Sequence, residues 1–386
     1  SGSISATTTT WATPINPFLT LHAVLRPAEY VSSPEMYPVG FTRFWLGHPV
    51  IAFATTSGVA TVLMLAWSVL RVRMLGPILG RASTSDHSTR AHRPIGRNPI
   101  AWRASSGRPA SWAEHVGRWG WAATGVAAGI VLLALVGGGT LPMENARLIL
   151  AALLIVEVTI VALAAAAVAG TTVTREREQG TLDLVLTTPV QPAAYLQGKL
   201  IGVIRSLRPL LLPPLVTALA TATVLIASQH TGPFMEMRPS PLPPIPFASW
   251  GGLLGLAISI IPFAAFCVAI GLHWSLRSRR SVTAVLVATV LIVVIAGIAG
   301  LCAVPIGTGI PIGGALALAL CPVTAIMLAT HETSMLAPLD MSSTQLQWLL
   351  LGSGVLSGMV WSALTHMILK STAGSFVMTM RKLAGT

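Results

Sequence analysis

Read along the chain, apolar residues come in unbroken runs of about 20, the length that a hydrocarbon core about 30 Å thick demands of a helix. The runs span roughly 49–70, 120–141, 148–172, 204–228, 249–274, 282–305 and 345–370. A further apolar stretch, about 311–330, is rich in glycine and interrupted by Pro311 and Pro322. The runs are continuous and do not alternate, which argues for helices and against a β-barrel. The pattern predicts an all-α, polytopic membrane protein.

The polar positions between the runs set an orientation. The segment 71–118 holds nine arginines against Asp86 and Glu114 and is expected on the cytoplasmic side. The spans then alternate. Pro142 to Arg147 forms a short outer turn, and 175–203 returns to the cytoplasm. The proline-rich stretch 229–248 lies outside, and Ser275 to Ser281, with Arg277, Arg279 and Arg280, lies inside. Lys370, Arg381 and Lys382 place the end of the last span in the cytoplasm as well. Both constraints hold only if 311–330 does not cross, so 306–343 is read as an external segment with a re-entrant or surface helix, shielded by neighbouring protein. Six spans then follow residue 118.

Composition agrees: 53% of the residues are hydrophobic and 9% charged, far from soluble usage. The formal net charge of +12 does not signal nucleic acid, because the arginines cluster beside apolar runs in the positive-inside pattern. Cys267, Cys302 and Cys321 sit in apolar stretches without metal-ligand spacing and read as small buried hydrophobes.

A weak internal echo adds a view of domain organisation. Ile15 to Leu21, a polar loop, the run 49–70 and a basic exit repeat in kind as Leu320 to Ile326, a polar loop, the run 345–370 and a basic exit. Residues 1–70 then read as the external segment and last span of a first unit, 71–97 as an Arg/Ser-rich cytoplasmic linker, and 98–386 as a second unit. A single seven-span protein is the alternative.

Two features carry candidate chemistry. The stretch Arg175-Glu-Arg-Glu-Gln-Gly-Thr-Leu-Asp-Leu-Val-Leu-Thr-Thr-Pro189 is charged, competent to form a helix, and lies between two apolar runs. Leu182, Val185 and Leu186 fall at i, i+3 and i+4 and make one apolar stripe. Gly180-Thr181 offers a bend and a cap, and Pro189 and Pro192 end the segment. Such a short helix fits a groove on a soluble partner; resting on lipid headgroups is the bland alternative, opposed by its acidic residues. Glu157, in turn, is the one acidic residue well inside a span. An ionisable group there costs about 2.5 kcal/mol or more on insertion scales. It could line a substrate path, be held by a neighbour such as Thr159, or lock two helices together.

Glu176 to Val190, followed by Gly198-Lys199, closely resembles the signature of ABC-2 type permeases. The resemblance covers about residues 98–386 and is sharp over 175–199. It implies six spans per unit, non-crossing helices between the fifth and sixth, and a coupling helix at 175–189 that meets an ATPase subunit. Carried over, Glu176, Glu178, Gly180, Thr181, Leu182, Asp183, Leu184 and Leu186 become coupling positions. Glu176 and Glu178 would pair with basic groups on the ATPase, while Leu182 and Leu186 would fill its groove. Asn98-Pro-Ile-Ala-Trp-Arg103 resembles the opening of an amphipathic helix that precedes the first span in the family. Ala104 stands where the family often has Glu, and Ser105 to Pro109 interrupts a helix there. Trp102, Trp112, Trp119 and Trp121 suit an interfacial belt.

The chain has no Gly-rich Gly-Lys-Ser/Thr loop for nucleotide phosphates. It is therefore expected to bind no cofactor itself, and the resemblance implies an exporter subunit in the bacterial cytoplasmic membrane. A separate ATPase subunit would use ATP and Mg²⁺, and a second permease unit would be fused upstream or supplied by dimerisation. A secondary transporter driven by an ion gradient through Glu157 is the alternative, and a membrane anchor or sensor is a third class. The substrate is not written in these motifs.

Overall fold

The computed structural model describes residues 40–48, 50–59, 61–62, 99–101, 112–178, 191–228, 234–236, 245–278, 280–309, 320–330 and 343–384. The chain divides into two compact units, Ser1–His92 and Arg93–Thr386. In the first, α1 (Phe41–Gly47) and α2 (Val50–Val59) are described. The linker 71–97 and most of the echo around Ile15 to Leu21 fall outside the described residues.

The second unit is helical: α3 (Trp112–Gly137), α4 (Met143–Glu178), α5 (Pro192–Ser206), α6 (Arg208–Ala227), α7 (Trp250–Arg277), α8 (Ser281–Gly309), α9 (Pro322–Thr330) and α10 (Ser343–Ala384). Between α6 and α7 a two-residue ladder pairs β1 (Met235–Glu236) with β2 (Ile245–Pro246), Met235 opposite Pro246. Six helices among the described residues (α3, α4, α6, α7, α8 and α10) are long and apolar enough to cross a membrane. The all-α, six-span expectation stands. The nine residues of α9 rise only about 14 Å, too little to cross.

Several boundaries differ from the hydropathy reading, each for a local reason. The span expected at 204–228 is two helices, because the chain breaks at Leu207, just before Pro209. Proline lacks the N–H that a continuing helix would need. Exposed Arg205 and Arg208 flank the break. The outer turn expected at Pro142 to Arg147 is instead Gly138 to Pro142, with Arg147 inside α4. Gly139, at φ 66°, closes α3: its N–H reaches Val136 C=O at 3.0 Å, and Thr140 N–H reaches Leu135 C=O at 3.2 Å. This is the Schellman end that glycine favours. Arg147 donates to the carbonyls of Phe247 and Pro246, both at 3.1 Å, and so ties α4 to the β ladder.

The core sits on α7, which packs against α10 and α4 most extensively and also against α6, α8 and α9. Of its most apolar stretch 72% is buried, against 17% for α8, so α7 is central and α8 peripheral. Because lipid is as apolar as leucine, close packing and not burial must drive these contacts, and small residues serve it. Gly251-x-x-x-Gly255 on α7 lies against the α10 backbone: a Cβ at Gly251 would come 2.0 Å from Gln347 O, and one at Gly255 2.9 Å from Leu350 O. Gly271 brings α7 against α4, where its Cβ would lie 2.6 Å from Ala169 Cβ.

At the start of α7 a polar knot joins three elements. Ser249 caps α7 by accepting from Gly252 N–H and donates to Gln347 Oε1 at 2.7 Å. Gln347 Oε1 also accepts from Gly251 N–H at 2.8 Å, and Ser249 N–H bonds Ala329 C=O of α9 at 2.7 Å. The Gln347→Leu change strands one buried hydroxyl and one backbone N–H. Each orphan donor costs about 1–3 kcal/mol in soluble proteins, but interhelical bonds in bilayers average only about 0.6 kcal/mol. A loss of about 2 kcal/mol is therefore expected in detergent melting; an unchanged melting temperature would remove the knot from the stabilising contacts.

Candidate functional site

The charged motif begins inside the fold. Arg175 to Glu178 form the last turn of α4, where the sequence suggested the start of a separate short helix. No proline or glycine stands between Gly170 and Gly180 to end α4 earlier. Ser275 Oγ of α7 accepts from Val173 N–H at 3.1 Å and Thr174 N–H at 3.0 Å, fixing the end of α4 sideways. Arg177 then donates to Ser278 C=O, beyond α7.

Glu176 is held within the chain. Tyr195 O–H donates to its Oε2 at 2.6 Å, and Lys199 Nζ pairs with its Oε1. Lys199 reaches it because α5 is amphipathic: Tyr195, Leu196, Gly198, Lys199, Gly202 and Val203 form its buried face. A lysine on such a face requires an anion, and Glu176 supplies it. The Tyr195 ring lies 5.8 Å from the Phe376 ring of α10. Thus α4 and α5 meet at one carboxylate, and α10 packs on it through the Tyr195 ring. Glu178 ends α4 in the backbone, while Gly180, Thr181, Leu182, Asp183, Leu184 and Leu186 lie outside the described residues, as do Trp102 and Arg103. Ile100, of the expected amphipathic opening, packs against the core.

Glu157 is fully buried, at 0% exposure, and among the described residues neither carboxyl oxygen has a hydrogen-bond partner. Thr159, expected as its neighbour, points to the exposed side of α4. The nearby hydroxyl is that of Thr217 on α6, itself without a partner of normal geometry. Two glycines of α3 form the third wall. A Cβ at Gly125 would lie 2.6 Å from Pro213 Cβ and 3.1 Å from Glu157 Oε1, and one at Gly129 2.8 Å from Thr217 Oγ1. The carboxyl is thus sealed in a seam of three spans in this conformation. Glu157→Gln keeps the shape, so folding is expected to stay close to wild type in detergent melting. Complete loss of transport in a well-folded variant would instead favour the gradient-driven alternative.

Sequence reasoning missed the glycine seams of α3 and α7, although the spacing Gly125-x-x-x-Gly129 and Gly251-x-x-x-Gly255 was visible. It also missed Tyr195, for which no pattern spoke. Cys267 and Cys321 are buried and free. Among the described residues, no group of three or more His, Cys, Asp or Glu could hold a metal ion. His273 Nδ1 lies 2.8 Å from Thr372 Oγ1, joining α7 to α10, and His366 is exposed.

No curated protein matches the sequence. The family described as ABC-2 family transporter protein matches over residues 50–372, which is most of the chain, and six long apolar helices with the charged motif between α4 and α5 accord with it. The chain belongs to the ABC-2 transporter family and is a multi-pass membrane component of transport.

Proposed function

We propose that the chain is the membrane-spanning subunit of an ATP-driven exporter in a bacterial cytoplasmic membrane. A separate ATPase subunit docks on the segment that joins α4 to α5, with Leu182 and Leu186 as apolar anchors. Glu178 and Asp183 orient it at the rim, where charges mostly set on-rate and register. Gly180, Thr181 and Leu184 shape the same surface. ATP and Mg²⁺ are held by that partner, and its closure rocks the spans to open an outward path. Two permease units complete the transporter, the second fused upstream or contributed by a dimer.

The observation that carries this reading is the position of the motif. It stands between two spans at the basic end, and both its flanks, Glu176 and Lys199, meet in one ion pair that reaches α10 through Tyr195. Force entering there passes into α5 and into two spans, α4 and α10. Family membership supplies the transport context.

The test is a mild-detergent purification of the full-length protein from its native membrane, assayed for ATPase activity that travels with it. A co-purifying nucleotide-binding subunit is expected. Its absence, together with uptake or efflux in vesicles supplied only with an ion gradient, would move the protein to the secondary carriers.

A further inference from the structure

We propose that Glu176, Lys199 and Tyr195 form a clamp across the base of the segment joining α4 to α5, and that Glu176 acts as a positioning residue and makes no contact with the ATPase. The clamp makes that segment move as one body with α4, α5 and α10.

Geometry argues for it. Both carboxyl oxygens of Glu176 are engaged inside the chain, one by Lys199 and one by Tyr195. Lys199 is only 5% exposed, and its Nζ also lies 5.6 Å from the centre of the Tyr195 ring. A carboxylate so occupied has little left to offer a basic group on a partner. Energetics point the same way. A buried ion pair is poor evidence for stability, since apolar replacements of similar shape often hold a fold as well. What such a pair provides is one defined register between two elements. Here the two elements are those at either end of the joining segment. A loop with free ends would take up a push by bending. With its ends locked to each other, to Phe376 of α10 and, through Arg177, to the carbonyl of Ser278, a push becomes displacement of the spans. The Gly198-Lys199 step has the same explanation: Gly198 and Gly202 share the buried face of α5 with Lys199.

This inference rests on the ATPase-coupled reading, and the experiment separates the two. The full-length chain is reconstituted in lipid with its co-purified ATPase, with Cys267, Cys302 and Cys321 replaced by serine. Val136, buried near the outer end of α3, is replaced by cysteine. Labelling of that cysteine by a membrane-impermeant maleimide is followed with and without ATP and Mg²⁺. Glu176→Lys and Lys199→Glu are each expected to retain the ATPase and to lose the ATP-dependent change in labelling by about tenfold, a coupling of about 1.4 kcal/mol. The double swap, Glu176→Lys with Lys199→Glu, is expected to restore most of the response. If a single swap fails to fold, Glu176→Gln, which keeps an acceptor for Tyr195 and removes the charge, is expected to show the loss.

Loss of the ATPase in Glu176→Lys without recovery in the double swap would show that Glu176 meets the partner, and would overturn the clamp. So would single variants that respond like wild type. A wild-type complex that holds no ATPase, or shows no response to ATP, would sink the coupled reading itself. The clamp would then be a structural contact only.

Discussion

Replacing Gly354 by leucine is expected to leave no detergent-stable protein. In the structure a Cβ at Gly354 would lie 2.2 Å from Gly255 Cα, 2.4 Å from its carbonyl carbon and 2.6 Å from its oxygen. All three are backbone atoms, so no side chain can rotate away. The helices themselves would have to part, and α7 with α10 forms the most extensive contact in the unit. Overpacking a well-filled core costs typically about 1–3 kcal/mol. Here relief requires loss of the seam that buries Gly255, Leu350 and Ser353, so the effect is expected above that range. Gly352→Leu is the control, because no atom lies within 4 Å of a Cβ there. Thermal melting and gel filtration in detergent decide. Equal behaviour of the two variants would mean that α7 and α10 do not meet as described.

The second large effect is expected at the docking segment. Leu182→Asp combined with Leu186→Asp should reduce retention of the ATPase by about 100-fold or more, since a central apolar anchor carries about 2 kcal/mol or more and tenfold corresponds to 1.4 kcal/mol. On the proposed docking, the change would bury a charge in the partner's groove where an alkyl group is expected, and the charge would be desolvated without a pair. The fold should survive, because neither residue belongs to a described helix or to the clamp. Co-purified ATPase activity per mole of permease, measured beside melting temperature, separates lost docking from lost folding. Full retention of the ATPase in a well-folded double variant would remove the segment from the interface. The clamp variants differ in kind: they are expected to keep the partner and lose its effect.

The sequence and the structure meet most closely where chemistry is repetitive. A helix needs about 20 apolar residues to cross a bilayer, so the six spans of the second unit were legible. The expectation that 311–330 does not cross came from two basic ends that had to lie on one side; of that region the structure describes 320–330, in which α9 is nine residues long and too short to cross. The break at Leu207 was less legible. Hydropathy averages over a window and does not register one missing N–H at Pro209. The Schellman end at Gly139 was hidden for the same reason, since one glycine among several decides it.

Partners across space were legible only in kind. That Glu157 is a buried anomaly followed from the sequence, but its neighbour did not: Thr159 is near in sequence yet points to the opposite side of α4, and Thr217 on α6 faces it. Likewise the motif announced Glu176 and Lys199 as charges, 23 positions apart, without saying that they meet. What the sequence determined by itself is the class of molecule, the number of spans and the charged motif with the family it points to, because length, hydropathy and local spacing are properties of single segments. What only the tertiary structure decided is which charges are satisfied within the chain and where two backbones touch. A lysine on an amphipathic face can seek lipid, partner or carboxylate, and a glycine can serve flexibility or close approach. The choice is made by whichever helix arrives opposite, and that is set by the packing of all of them at once.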